Sequence, residues 1–161
     1  MPKVYLLLGG NLGDRTTYLQ QARESVAARV GGITDTSKIY ETAAWGKTDQ
    51  PNFLNQVLEV ETDLSPDKVL QNINLIEHDL GRIRQEHWGS RVIDIDILFY
   101  GDLVLQTQRL TIPHPQLHLR RFTLLPLAEI APGIEHPLLN KRVIQLLKEC
   151  PDTLEVKELK L

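Results

Sequence analysis

Arg91-Val92-Ile93-Asp94-Ile95-Asp96-Ile97-Leu98-Phe99 decides the architecture, because its middle alternates aliphatic and acidic side chains with period two. Successive side chains of a strand point to opposite faces, so Ile93, Ile95 and Ile97 share one face and Asp94 and Asp96 the other. The two carboxylates then stand roughly 7 Å apart along the strand. Aspartate is depleted in strands and like charges on one face repel, so this face calls for a compensating cation. Magnesium suits it, since that ion commonly uses one or two carboxylates together with phosphate oxygens. A merely solvated face would more naturally carry Thr, Lys or Ser.

Outward from this strand, Gly101-Asp102 turns the chain into a short partner strand expected at Leu103–Leu105. Upstream, Ser65 and Pro66 supply an N-cap serine and a first-turn proline. The helix they open runs to Leu80 with Val69, Leu70, Ile73, Ile76 and Leu80 on one face, and Gly81 ends it. Phe53 to Glu61 and Ile33 to Tyr40 have strand character, and Val4 to Leu8 reads as a buried central strand ending in Gly9-Gly10. Asp14 is placed to cap a helix over Thr17–Val30, stopped by Gly31-Gly32. The order is β-α-β-β-α-β, the ferredoxin-like arrangement of an antiparallel sheet with two helices on one face. Beyond Pro113 the chain is Pro-rich, with helical pieces at Arg121–Glu129 and Asn140–Lys148 that could cover the other face. The expected fold class is thus α+β, an α/β sandwich of three layers.

Length and composition agree with one domain over residues 1–161. The chain is 42% apolar and 24% charged, and 18 basic against 21 acidic side chains give a net charge of −3. That balance argues against a basic nucleic-acid coat and against a polybasic membrane anchor. With Cys150 alone, neither an internal disulfide nor a cysteine-based zinc site can form. The N-terminal apolar run is too short for a signal-peptide core, and nothing approaches the roughly 20 apolar residues of a membrane span. The expectation is a soluble, cytoplasmic protein.

The cations are unevenly distributed. Between Gln71 and Asn140 there is no lysine, yet there are six arginines: Arg82, Arg84, Arg91, Arg109, Arg120 and Arg121. Guanidinium groups alone point to bidentate recognition of phosphate or carboxylate, the alternative being a habit of surface composition. Arg82, Arg84 and Arg91 flank the aspartate strand. Arginines beside a magnesium-binding carboxylate pair are the components of phosphoryl transfer. Trp88, in the polar segment between Gly81 and Gly89, reads either as a lid that stacks on a ring or as a plug of the local core. His114 stands between Pro113 and Pro115, a stiff backbone that aims its imidazole, with Arg109 and Arg120 near enough to favour a phosphate contact. Phe53 and Asn55 together suit a heteroaromatic substrate, although periodicity alone assigns Phe53 to the core. Gly9-Gly10-Asn11-Leu12-Gly13-Asp14 is no phosphate loop and reads best as a tight strand-to-helix turn.

An ordered set of motifs resembles a known family. Gly9…Asn11-Leu12-Gly13-Asp14-Arg15 is followed by Asp49-Gln50-Pro51…Phe53-Leu54-Asn55 and Ile76-Glu77…Gly81-Arg82. Trp88-Gly89…Arg91…Asp94-Ile95-Asp96-Ile97, Arg109-Leu110…Ile112-Pro113-His114, Arg120…Phe122 and Pro126-Leu127…Glu129-Ile130-Ala131-Pro132 complete it. Over residues 4 to about 132 the chain resembles the 6-hydroxymethyl-7,8-dihydropterin pyrophosphokinases of folate biosynthesis. The resemblance implies transfer of the β,γ-diphosphate of ATP, as co-substrate, to the pterin hydroxymethyl group, leaving AMP. It implies two Mg2+ ions on Asp94 and Asp96, with Arg82 and Arg91 stabilising the transferring group. It assigns Asn74, Glu77, Arg84, Trp88, Arg109, Thr111, His114, Arg120 and the Ile97 backbone to ATP. It assigns Phe53 and Phe122, as a sandwich, with Asn55 and the Thr42, Ala43 and Trp45 segment, to the pterin. Loops 43–52 and 82–91 would close over both substrates. A monomer is implied, with no nucleic acid or membrane partner.

The sequence departs from the family pattern at Gly10, where a serine is common, and at Gln85, His87 and Pro115. None of these touches Asp94, Asp96, Arg82 or Arg91. Two other classes use the same topology. An RNA-binding module would expose aromatics on its central strands, where this chain has aspartates. A non-catalytic nucleotide- or ligand-sensing module would have no use for paired aspartates beside an arginine cluster.

Overall fold

The computed structural model describes residues 1–43, 51–81 and 92–160. Strand β1 (Lys3–Gly10) leads into helix α1 (Arg15–Arg29), then β2 (Gly32–Thr36), β3 (Tyr40–Thr42) and β4 (Phe53–Glu61). Helix α2 (Pro66–Asp79) and β5 (Asp94–Tyr100) complete the ferredoxin-like core. A two-residue ribbon, β6 (Leu105–Gln106) with β7 (Thr111–Ile112), precedes α3 (Arg121–Ile130), α4 (Val143–Glu149) and β8 (Val156–Glu158). The main sheet runs β5-β1-β4-β3-β8, with β2 also on β4, and every pairing is antiparallel.

The helix starts follow from their caps. The Asp14 carboxylate accepts the Thr17 N–H at 3.2 Å and the Ser65 hydroxyl accepts the Lys68 N–H at 3.3 Å. Helix α1 buries Leu19, Ala22 and Val26, and α2 buries Val69, Ile73 and Ile76, the three- and four-residue spacing of one helical face. Gly81 follows α2 with a φ of +98°, a backbone conformation that side-chain-bearing residues rarely adopt.

The sheet separates two cores. Val4, Leu6 and Leu8 of β1, Leu54, Leu58 and Val60 of β4, and Ile95 and Ile97 of β5 pack under α1 and α2. Tyr5, Leu7, Val57, Leu98 and Phe99 pack under α3 and α4 on the opposite face. The isoleucine and aspartate faces of β5 are therefore as the alternation requires. Between Ile97 and Phe99 the register against β1 slips, leaving Leu98 as an extra residue. This bulge delivers both Leu98 and Phe99 to the α3 side.

Four details differ from the sequence expectation. The strand expected over Ile33–Tyr40 is two strands. Ser37, Lys38 and Ile39 stand opposite only Gln56 and Val57. The Ser37 hydroxyl takes over from a ladder carbonyl by accepting the Val57 N–H at 2.9 Å. The partner strand expected at Leu103–Leu105 is β6, and it pairs with β7 rather than β5, because the Gly101 N–H is held by the Lys3 carbonyl and the chain turns away. Gly9 and Gly10 belong to β1, so the turn into α1 begins at Asn11. The last helix starts at Val143, since Asn140 has a φ of +56° and breaks the turn before it.

Candidate active site

The α3–α4 core stops short of one end of the sheet, and a cavity of about 500 Å³ opens there. Its floor is a row of residues set by strand register: Asp94 on β5 lies opposite Gly9 on β1, which lies opposite Asn55 on β4. Asp96 and Leu7 form the neighbouring row, and Phe53 faces Thr42 at the β4–β3 end. All of these except Val57, which continues the second row, line the cavity, as does Ala43. The far wall comes from Gln116, Leu119, Arg120 and Phe122, at and just before the start of α3, and Asp152 closes one side.

Gly9 is a glycine for a local reason. A Cβ there would lie 2.5 Å from Asn55 Oδ1 and 3.4 Å from the Leu54 carbonyl oxygen. The Asn55 amide thus lies across the β1 backbone, and it is only 5% exposed. A buried amide with its edge turned along a cavity floor is a donor–acceptor pair that a heterocycle edge can meet.

The opposite wall is tied together by its own polar groups. Arg120 Nη2 donates to Gln116 Oε1 at 3.0 Å, and its guanidinium lies 5.7 Å from the centre of the Phe122 ring. Helix α3 has no side-chain cap of its own. Asp152 substitutes from thirty-one residues away, accepting the Arg121 N–H at 3.0 Å through Oδ2 and the Leu154 N–H at 2.9 Å through Oδ1. That contact explains a carboxylate beside the arginines.

A second group of residues follows the outer edge of β5. Glu77, buried on α2, accepts the Ile95 N–H at 2.8 Å through Oε2. Ile97, two residues on, turns its backbone to the same edge by strand alternation. The His114 N–H donates to the Leu98 carbonyl at 3.0 Å, after a cis Ile112–Pro113 peptide that follows Thr111. Burial, and secondarily the Arg120 charge, pull the His114 pKa down to about 4. The imidazole is neutral at pH 7, and Nδ1 accepts the Gln116 N–H at 3.1 Å, which assigns the ring proton to Nε2 as a donor.

Of the residues singled out from the sequence, the cavity unites Thr42, Ala43, Phe53, Asn55, Asp94, Asp96, Arg120 and Phe122. Phe53 is half-buried in that lining rather than a core residue, because β4 begins there and α3 does not reach over it. Asn74 is exposed on α2, and Arg109 is exposed with its guanidinium 3.8 Å from Asp67; neither lines the cavity. Trp45, Arg82, Arg84, Trp88 and Arg91 lie outside the described residues, as do most of loops 43–52 and 82–91. Leu7, Gly9, Gln116, Leu119 and Asp152 line the cavity without having been picked from the sequence. Gln116 lies two residues from His114, and Gly9 opens the Gly9…Asn11-Leu12-Gly13-Asp14-Arg15 motif, but nothing local marks Asp152.

A model of the 7,8-dihydro-6-hydroxymethylpterin-pyrophosphokinase family matches residues 5–132. The chain belongs to this family. Its similarity to individual members extends over nearly the whole chain. It is 45% identical over 141 residues to the 2-amino-4-hydroxy-6-hydroxymethyldihydropteridine pyrophosphokinase of Aquifex aeolicus, covering 88% of each. To the enzyme of the same name from Haemophilus influenzae it is 38% identical over 154 residues, covering 94% of this chain and 95% of that one. Among solved structures it is similar in fold to a Plasmodium falciparum HPPK-DHPS chain, with a TM-score of 0.71 at 21% identity. That match takes in 92% of this chain and 43% of the other, so the chain spans less than half the length of the solved protein. That match shows the same ferredoxin-like core. No helix among the described residues is long and apolar enough to cross a membrane.

Proposed function

We propose that the cavity is the site at which the β,γ-diphosphate of ATP passes to the hydroxymethyl group of 6-hydroxymethyl-7,8-dihydropterin, giving the pterin diphosphate and AMP. As a family member the chain is a pyrophosphokinase of folate biosynthesis, and a non-catalytic sensing module is not favoured. One observation carries the assignment to this cavity: a carboxylate pair and a heterocycle-binding amide, Asp94 with Asp96 and Asn55, share one floor under Phe122 and Arg120.

The donor set fits magnesium. Asp94 and Asp96 offer hard oxygens on one strand face at a cavity, with room for phosphate oxygens beside them. We assign two ions to this pair; bound there, magnesium would neutralise phosphate charge and make the pterin hydroxyl a better nucleophile. The chain's residues do the rest. Asn55 orients the pterin through its amide edge, with Phe53 and Phe122 against the ring faces. Arg120, fixed by Gln116, binds phosphate, and His114 donates from Nε2 to the nucleotide. The edge of β5 at Ile97, ordered by Glu77, meets the adenine, with Thr111 beside it. Asn74, Arg84, Trp88 and Arg109 are assigned to ATP, Trp45 to the pterin, and Arg82 and Arg91 to the transferring phosphates. In the transfer the hydroxymethyl oxygen bonds to the β-phosphorus, the bond from that phosphorus to the α,β-bridging oxygen breaks so that this oxygen leaves with AMP, and the hydroxyl proton passes to solvent water.

We further propose that the protein acts as a monomer and in the cytoplasm. The test is incubation with ATP, magnesium and the reduced hydroxymethylpterin. AMP should form in step with pterin diphosphate. ADP as the nucleotide product, or no pterin-dependent turnover, overturns the reading.

A further inference from the structure

The turn between β1 and α1 does more than connect them. Arg15, the first residue of α1, donates from Nη1 to Glu41 Oε2 at 3.0 Å and to the Asn52 carbonyl at 2.8 Å. Asn11, fully buried, donates from Nδ2 to the Pro51 carbonyl at 3.0 Å. Glu41 sits between Tyr40 and Thr42 on β3, and Asn52 immediately precedes Phe53 on β4. One guanidinium therefore spans the end of β3 and the start of β4, the two backbones that carry Thr42, Ala43, Phe53 and Asn55 into the cavity.

Alternation decides which side it works from. Thr42 and Phe53 are paired and both line the cavity, whereas Glu41 is paired with Leu54, and Leu54 belongs to the core under α1 and α2. Arg15 thus reaches the β3–β4 junction from the back of the sheet, and it is absent from the cavity lining. That junction is thin: β3 pairs with β4 through only three residues, Tyr40, Glu41 and Thr42. Charge-assisted hydrogen bonds to both strands at once fix how the backbones lie relative to each other where three ladder pairs leave slack.

We infer that Arg15 is a positioning residue for the pterin wall: bridging Glu41 and the Asn52 carbonyl from behind the sheet, it sets Thr42 and Ala43 against Phe53 and Asn55. The inference rests on the assignment of this cavity to the pterin. Its consequence is selective. The Asp94–Asp96 pair and the Arg120 wall belong to other elements, so loosening the β3–β4 junction acts on the pterin and not on ATP.

The experiment uses the full chain and measures steady-state KM for each substrate, pterin affinity by calorimetry with a non-hydrolysable ATP analogue and magnesium, and melting temperature. Arg15→Ala should raise the pterin KM and Kd by about tenfold while the ATP KM stays within about twofold, a size expected for a partly exposed charged hydrogen-bond pair. Arg15→Lys keeps the charge and one donor and should recover most of the pterin affinity. If Arg15→Ala does not fold, Arg15→Gln takes its place with the same expected split. Equal rises in both KM values, or pterin affinity unchanged in a folded Arg15→Ala, overturn the positioning role. A wild-type chain that neither binds nor turns over the pterin instead overturns the assignment of the cavity.

Discussion

On the α1–α2 side of the sheet, Val4, Leu6, Leu8, Leu54, Leu58, Ile95 and Ile97 form an apolar layer, none more than 5% exposed, interrupted on β4 by Gln56, whose amide is held by Arg23 of α1 and the Ser37 carbonyl. On the α3–α4 side the same strands bury Tyr5, Leu7, Val57 and Phe99 and then change character, ending in Gly9, Asn55, Asp94 and Asp96. Both faces are built from the same alternation, yet one is covered along its length and the other only as far as the first turn of α3. The uncovered stretch gathers two carboxylates, an amide and a glycine, where the covered face has aliphatic side chains and one amide fully engaged by Arg23 and Ser37. Stability and chemistry are thereby divided between the two sides of single strands, and β5 shows the division most sharply.

That division can be broken first at β5. Asp94→Ala and Asp96→Ala should each lower kcat by about 10³-fold or more, as loss of groups that manage charge in the reacting phosphates does, with the fold retained. Ile95→Ala, between them in sequence but on the other face, should do the reverse. It should cost about 2–5 kcal/mol of stability by denaturant titration and leave kcat within a few-fold at a temperature where the protein is folded. Near-normal turnover in either aspartate variant would falsify the metal-holding role, and loss of turnover in a folded Ile95→Ala would erase the distinction between faces.

The floor of the open face offers a finer test. Asn55→Ala should weaken pterin binding by about 1–3 kcal/mol, with ATP affinity unchanged. Gly9→Ala should act in the same direction, because its Cβ must displace the Asn55 amide from a 2.5 Å contact. The two effects should not add in the double variant, since both operate through one side chain. Calorimetry on the three proteins decides it, and simple additivity would mean that Gly9 acts independently of Asn55.

The smallest effect concerns His114. Its folded pKa of about 4 lies below its ordinary value of 6.5, so between these pH values the unfolded chain binds more protons than the folded one. The associated stability is complete above pH 6.5 and is lost as pH falls towards 4. His136, also depressed by burial and packed edge-on against Phe99 under α3 and α4, contributes with the same sign. His114→Asn should therefore reduce, without abolishing, the drop in melting temperature between pH 7 and pH 5. A drop as large as that of the parent protein would show that His114 carries none of it.

What could be read from the sequence was local or periodic. Asp14 and Ser65-Pro66 announce their helices because caps act within one turn, and Ile93, Ile95 and Ile97 announce a face because a strand has only two. The break between β2 and β3 was hidden, since it depends on the Ser37 hydroxyl meeting Val57, twenty residues away. So was β8, three residues with no apolar pattern that pair with β3 only after the fold has formed. The site shows the same boundary. Asp94 and Asp96 stand out because paired aspartates violate strand preferences, Asn55 stands out as an amide edge beside Phe53, and Phe122 enters only through the family resemblance. Gly9 was assigned to a turn because its reason for being glycine lies on another strand. Asp152 escaped because it caps a helix thirty-one residues distant.

The polar attachments along the margin of β5 have a colloidal consequence. A bare strand edge is a template on which another chain can add, and aggregation commonly starts there. Here the Glu77 carboxylate occupies the Ile95 N–H and the His114 N–H occupies the Leu98 carbonyl. The opposite margin is made of β8, three residues with Lys157 and Glu158 exposed, and β2, five residues with Asp35 exposed. The edge proposed to meet adenine is thus interrupted at intervals too short for a second polypeptide to zip along it, and the other margin is charged and brief. Under the proposed assignment, room for a nucleotide and resistance to edge-to-edge association rest on the same two hydrogen bonds.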